Sequence, residues 1–135
     1  MIWPTADARY MARLAQPSTV VRFTVEGQPT PKGRPRVGKG GHAYTPHKTR
    51  MYETSVKWAA RQAMGPRDPM VGDVALELRV YCRDGRRGDL DNYVKALADG
   101  MNGIVYDDDR QVVRYTAELL FDKDNPRAEI VARAA

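Results

Sequence analysis

Residues 88–121 read GDLDNYVKALADGMNGIVYDDDRQVVRYTAELLF, and within this stretch the apolar period changes from that of a helix to that of a strand. Leu90, Val94, Leu97 and Met101 fall at i, i+4, i+7 and i+11, which makes one buried stripe of a helix starting near Leu90. Asn102-Gly103 is a fitting stop, because both residues tolerate the left-handed backbone that ends helices. Ile104–Tyr106 is short and extended. After a run of aspartates, the residues from Gln111 to Phe121 alternate and read as a long strand.

Working outward, Val74, Leu76, Leu78 and Val80 alternate with Ala75, Glu77, Arg79 and Tyr81, so another strand precedes the helix. Before it, Tyr52, Val56, Ala59, Ala60 and Ala63 sit at helical spacing. That predicts a helix running to about Met64, with Thr45 or Thr49 as its cap. Residues 19–26 form a strand with Val21, Phe23 and Val25 on one face. The segment GQPTPKGRPRVGKGGHAYTP, residues 27–46, is dense in glycine and proline and reads as a long loop. Downstream, Asp124-Asn125-Pro126 makes a turn into a final strand from Arg127 to Ala132. The last two strands are expected to pair as an antiparallel hairpin. The order predicts an α+β fold, with a single mixed β-sheet and helices packed on it. Residues 1–18 read as an N-terminal extension holding a short helix from Thr5 to about Ala15, and residues 19–135 as the domain proper.

The 135 residues suit one core, and a net charge of +5 favours an anionic partner. The single cysteine, Cys82, excludes an internal disulfide and reads as a buried, inert thiol. A zinc site of Cys and His would need more than Cys82, His42 and His47. No stretch has the apolar length of a membrane span and the N-terminus lacks a signal-peptide core, so the expected location is cytoplasmic.

Against that basic background the quoted stretch concentrates acid. Asp91, Lys95 and Asp99 follow each other at i, i+4 and i+8 on one helix face, and Asp89 stands just ahead of the first turn. Asp107, Asp108 and Asp109 close the segment. Singly, each piece has an ordinary reading: an N-cap, a solvated turn, and a surface ion pair worth about 0.3–0.5 kcal/mol. Together they suggest more. Hard divalent cations take oxygen ligands from two or three carboxylates, and neighbouring carboxylates without a cation repel. A nearby lysine can hold a phosphate oxygen. Carboxylates for a metal, a lysine and a basic surround make a site for metal-assisted phosphodiester cleavage.

The segment from Gly88 to Val113 resembles the signature of the RusA family of Holliday junction resolvases. The matching features are Asp-x-Asp-Asn, a lysine four residues after the second Asp, an Asp four further on, Asn-Gly, and Asp-Asp-x-Gln. PTPKGRPR, the following YTP and a Thr-x-x-Tyr-Glu resemble the N-terminal part of phage-type members. The resemblance spans about Val20 to Val113, extends to the final strands, and implies a RusA-like fold. It also implies a dimeric, Mg²⁺-dependent endonuclease (Mn²⁺ a possible substitute) that cuts four-way DNA junctions by paired nicks, in a bacterial or phage-infected cell. Carried onto this chain, the catalytic residues are Asp89, Asp91, Lys95 and Asp109, and the metal ligands are Asp89, Asp91 and Asp109, with Asp108 in reserve. Asp107 is an added aspartate, so the assignment among the three rests on alignment to Gln111. Gly100 stands where the family often has alanine, which predicts a helix end looser by roughly 1 kcal/mol.

Basic residues surround this segment. Lys32, Arg34, Arg36 and Lys39 lie in the glycine-rich loop and Arg86 and Arg87 lie just ahead of Asp89; all are expected to contact DNA phosphates, which position a duplex without reading its sequence. Two other functions compete: a silent branched-DNA-binding module, and a different Mg²⁺-dependent phosphoryl or glycosyl transferase using the DxD. The intact carboxylate–lysine set opposes the first. The lack of a Gly-rich nucleotide loop opposes the second.

Overall fold

The computed structural model describes residues 19–33, 36–44 and 46–135, with the backbone alone at Arg36. The helix expected between Thr5 and Ala15, together with Arg34 and Thr45, lies outside them. In chain order the elements are β1 (Val20–Glu26), β2 (Arg36–Val37), β3 (Ala43–Tyr44), α1 (His47–Met64), β4 (Val74–Cys82), α2 (Leu90–Met101), β5 (Val112–Phe121) and β6 (Arg127–Ala134), with a 3₁₀ turn at Asp109–Gln111 before β5.

The main sheet has the order β1-β6-β4-β5. β6 runs antiparallel to both β1 and β4, whereas β4 and β5 are parallel, so the sheet is mixed as expected. Its inner face carries Val21 and Val25 of β1, Leu76, Leu78 and Val80 of β4, and Ala128, Ile130 and Ala132 of β6, all buried. Both helices lay their apolar stripes on it: Tyr52, Val56, Ala60 and Met64 from α1, and Val94, Leu97 and Met101 from α2. The other face, with Glu77 and Arg79, is open. Strand periodicity of two therefore sorts each strand into a helix-facing and a solvent-facing set, as the alternation requires. Cys82 is buried, with its Sγ 3.7 Å from the Tyr93 hydroxyl.

The structure corrects four expectations. β5 and β6 do not form a hairpin, because β4 lies between them. Two strand spacings are about 10 Å, a gap that a five-residue link spans easily. The link crosses the end of β4, where Asp122 N donates to Cys82 O at 2.9 Å. The Asp122 carboxylate accepts from Asp124 N, Asn125 N and the Arg127 guanidinium. Turn chemistry reads the chain reversal correctly but carries no information about what fills the gap.

The long loop contains a small ribbon: Arg36 pairs with Tyr44 and Val37 with Ala43. Gly40 and Gly41 turn it at φ 88° and 81°, a backbone region that side chains resist. Thr49 does not cap α1. It lies inside the helix, buried, and its hydroxyl accepts from Gly33 N at 3.0 Å, so it anchors the loop instead. Finally, Gly100 is more than a loosened helix end. A Cβ there would sit 2.6 Å from Val56 Cβ and Cγ1 and 3.3 Å from Glu53 O, so this glycine is where the two helices come together.

Candidate functional site

The loop before β2 and the start of α2 are built as a unit. Gly88 N donates to the Tyr93 hydroxyl at 3.0 Å. Pro31 packs so closely on Gly88 that a Cβ there would be 2.9 Å from its Cγ. Lys32 N donates to Asn92 O at 2.8 Å, and Gln28 Oε1 accepts from Arg83 N at 2.8 Å. Asp89 occupies the N-cap position of α2 in extended conformation, with no side-chain cap bond among the described residues. Its carboxylate is thus not consumed by capping. Asp89, Asp91 and Lys95 are all exposed.

The far end of α2 meets the aspartate turn. Asp108 caps this turn, its Oδ1 accepting from Arg110 N at 2.9 Å. Gln111 Oε1 accepts from Asp107 N and Asp108 N, while its Nε2 donates to Met70 O and Gly72 O. Gln111 therefore fixes the turn in space. The Asp109 carboxyl lies beside those of Asp108 and Asp99; burial, then these two neighbours, push its pKa above the usual carboxylate range. Asp108 goes the other way, lowered chiefly by the Arg110 N–H. Buried Tyr106 donates to Ala98 O at 2.7 Å. Burial raises its hydroxyl well beyond the ordinary value, and Asp109, Asp99 and Asp108 raise it further. Asp107 is exposed.

Asp99 is the joint between the two halves, since Asp91, Lys95 and Asp99 share a helix face. Asp91 and Asp99 are separated by about 12 Å of helical rise, and Asp109 stands at the Asp99 end. Among the described residues no group of three or more His, Cys, Asp or Glu side chains converges to hold an ion. The donor set nevertheless fits a hard divalent cation in kind. It consists of carboxylate oxygens, and burial, followed by the neighbouring carboxyls of Asp108 and Asp99, raises the pKa of Asp109.

Lys32 lies within this assembly. Its Nζ is 2.6 Å from Glu53 Oε1 and 3.0 Å from Asp99 Oδ2, and the lysine side chain is 18% exposed. Glu53 closes the Thr-x-x-Tyr-Glu motif, but the sequence assigns it no role. It lies far along the chain from both partners, and the Tyr-Glu pair carries no local hint of the contact. The other basic residues are distributed differently. Lys39 is exposed in the ribbon turn, and Arg86 and Arg87 are exposed in the loop leading into Asp89. The side chain of Arg36 is not described.

Two comparisons with known proteins bear on this site. A family model described as Endodeoxyribonuclease RusA matches residues 26–133, which take in β4, β5 and nearly all of β6, both helices and the aspartate turn. The uncharacterized protein YqaN of Bacillus subtilis (strain 168) is 29% identical over 137 residues, spanning 84% of this chain and 95% of its own.

Proposed function

Because the chain belongs to the RusA endodeoxyribonuclease family, we propose that it is a Mg²⁺-dependent, structure-selective endodeoxyribonuclease that resolves four-way DNA junctions by paired nicks. The observation that carries the reading beyond the family is the placement of Asp109 against Asp99. That contact joins the aspartate turn to the helix face bearing Asp91 and Lys95.

In this reading the carboxylates that would hold a divalent cation, Mg²⁺ or Mn²⁺, come from two places: Asp89 and Asp91 at the start of α2, and Asp109, with Asp108, in the aspartate turn. When bound, such an ion supplies an activated water and Lewis-acid polarisation of a phosphoryl oxygen. The protein's own contribution is positional and electrostatic. Asp89 keeps a carboxylate free of capping at the helix start. Lys95, one turn beyond Asp91 and exposed, places a cation where negative charge develops on the phosphate or the leaving oxygen. Arg86 and Arg87 hold flanking phosphates, and Lys39 does so from the ribbon, so that branched shape rather than sequence is recognised.

A homodimer suits this chemistry, since two equal sites related by a two-fold axis match the two strands to be cut. β5 is an edge strand with exposed Val113, Tyr115 and Phe121, which supports it as the surface for a second copy. Measurement of the mass in solution tests that part directly. No described helix is long and apolar enough to cross a membrane, and a cytoplasmic setting accords with a DNA substrate.

The deciding experiment is nicking of a synthetic four-way junction in Mg²⁺ by wild type and by Asp91→Asn, with the cuts mapped. Paired symmetric nicks by wild type and a loss of at least about 100-fold in the variant are expected. Equal activity in both would refute the assignment. Tight junction binding with no nicking in either Mg²⁺ or Mn²⁺ would favour the silent binding module.

A further inference from the structure

Lys32 sits in a segment whose composition suggests a phosphate-binding loop, yet its surroundings are those of an internal tie. Two consecutive backbone N–H groups are pinned to different helices. Lys32 N bonds to Asn92 O of α2, and Gly33 N bonds to the Thr49 hydroxyl of α1. The side chain repeats the pattern, with the ammonium between Glu53 of α1 and Asp99 of α2 at 2.6 and 3.0 Å. All three side chains are largely covered, at 17–21% exposure. The tie lies beside the helix crossing, where Gly100 abuts Val56 and the Glu53 carbonyl. Asp99 in turn touches Asp109. The sequence of contacts is therefore Glu53, Lys32, Asp99, Asp109, and it links α1, the loop, α2 and the aspartate turn.

A lysine that contacts DNA needs its ammonium free to meet a phosphate. This one could do so only by leaving two carboxylates facing each other without a cation, which like-charge repulsion opposes. We propose that Lys32 is a positioning residue: it clamps Glu53 to Asp99 and thereby fixes Asp99 beside Asp109, and it makes no contact with the nucleic acid. The inference rests on the nuclease reading for its consequence in catalysis, while the absence of a DNA contact stands apart from that reading.

The two roles give opposite results in one experiment. Lys32→Met is compared with wild type for junction binding across a range of salt concentrations without divalent metal, and for nicking in Mg²⁺ at saturating junction. A lysine on a phosphate contributes about one unit to the slope of log affinity against log salt. A positioning lysine leaves that slope and the affinity unchanged and lowers the saturating rate, by about 100-fold for a displacement near 1 Å. Lys32→Arg, which keeps the cation, restores most of that rate. Should Lys32→Met fail to fold, Glu53→Gln loosens the same clamp with the lysine retained, and is expected to show the same split between rate and binding. A salt slope smaller by about one unit in Lys32→Met, or a saturating rate equal to wild type in the folded variant, overturns the proposal. A wild-type protein that does not nick sinks the nuclease reading alone, because the slope still decides whether Lys32 meets phosphate.

Discussion

Replacing Gly100 with alanine should destabilise the protein, against what helix propensity alone predicts. In an isolated helix interior the change is worth about 1 kcal/mol in favour of alanine. Here the added Cβ would sit 2.6 Å from Val56 Cβ and Cγ1 and 3.3 Å from Glu53 O. Non-bonded carbons rest about 3.5–4.0 Å apart, so the two helices must move apart by roughly 1 Å or Val56 must be displaced. Val56 is fully buried, in contact with the rest of the core, and overpacking of this kind costs about 1–3 kcal/mol. After the propensity gain is subtracted, a net loss of up to about 2 kcal/mol remains. At this chain length that corresponds to a melting temperature lower by up to about 8 °C. The assay is thermal and urea unfolding of Gly100→Ala, Val56→Ala and the double variant. Truncating Val56 removes the atoms that clash, so the double variant should be more stable than the sum of the single losses predicts, by about 1 kcal/mol or more. A single variant that is more stable than wild type, or strictly additive losses, would refute the close-approach argument. The substitution also reaches the candidate site. Spreading the helices pulls Asp99 from Glu53, so nicking should fall in step with the loosened Lys32 clamp.

Asp122→Asn tests the link that carries the chain over the end of β4. The Arg127 guanidinium, then the Asn125 N–H, hold the Asp122 carboxyl below the usual carboxylate range. A depressed carboxyl stabilises the fold above its unfolded-state value, about 3.9, and that contribution is lost as pH falls through the folded value. Wild type should therefore exceed the variant in melting temperature at pH 7, and the gap should shrink as pH falls below about 3.9; a gap independent of pH would show that the ion pair contributes nothing. Arg86→Ala with Arg87→Ala should weaken junction binding and lower the salt slope by about one unit per arginine, in contrast to Lys32→Met. An unchanged slope would remove the loop ahead of Asp89 from the DNA interface. Tyr115→Glu, on the exposed edge strand β5, should break the proposed dimer and give a monomer mass in solution, and a variant that stays dimeric would move the interface elsewhere.

Much of the fold is legible in local pattern. The stripe of Leu90, Val94, Leu97 and Met101 identifies α2 because a 3.6-residue period must bury one side. Asn102-Gly103 ends the helix where expected, with Gly103 at φ 78°. The β1 and β4 strands follow from alternation, and the buried thiol of Cys82 follows from its place in one of them. The candidate site is legible in part. Asp89, Asp91, Lys95 and Asp109 stand out as residue types at a spacing, and Asp109 is distinguished from Asp107 by its register with Gln111. Glu53 stands out only as the end of Thr-x-x-Tyr-Glu, and the tie it makes through Lys32 to Asp99 does not stand out at all.

What the sequence determines by itself, then, is whatever is decided within a few residues: the period of an element, the turn that stops it, and the acidic segment that interrupts a basic chain. Tertiary structure decides that β4 separates β5 from β6, that Gly100 is a point of helix contact, and that Lys32 turns inward to two carboxylates. The physical reason is the same in each case. A strand's neighbour, a glycine's clearance and a lysine's counter-ion are properties of groups brought together across long separations in the chain. A turn or a basic loop has the same local chemistry whichever partner the packed core places beside it.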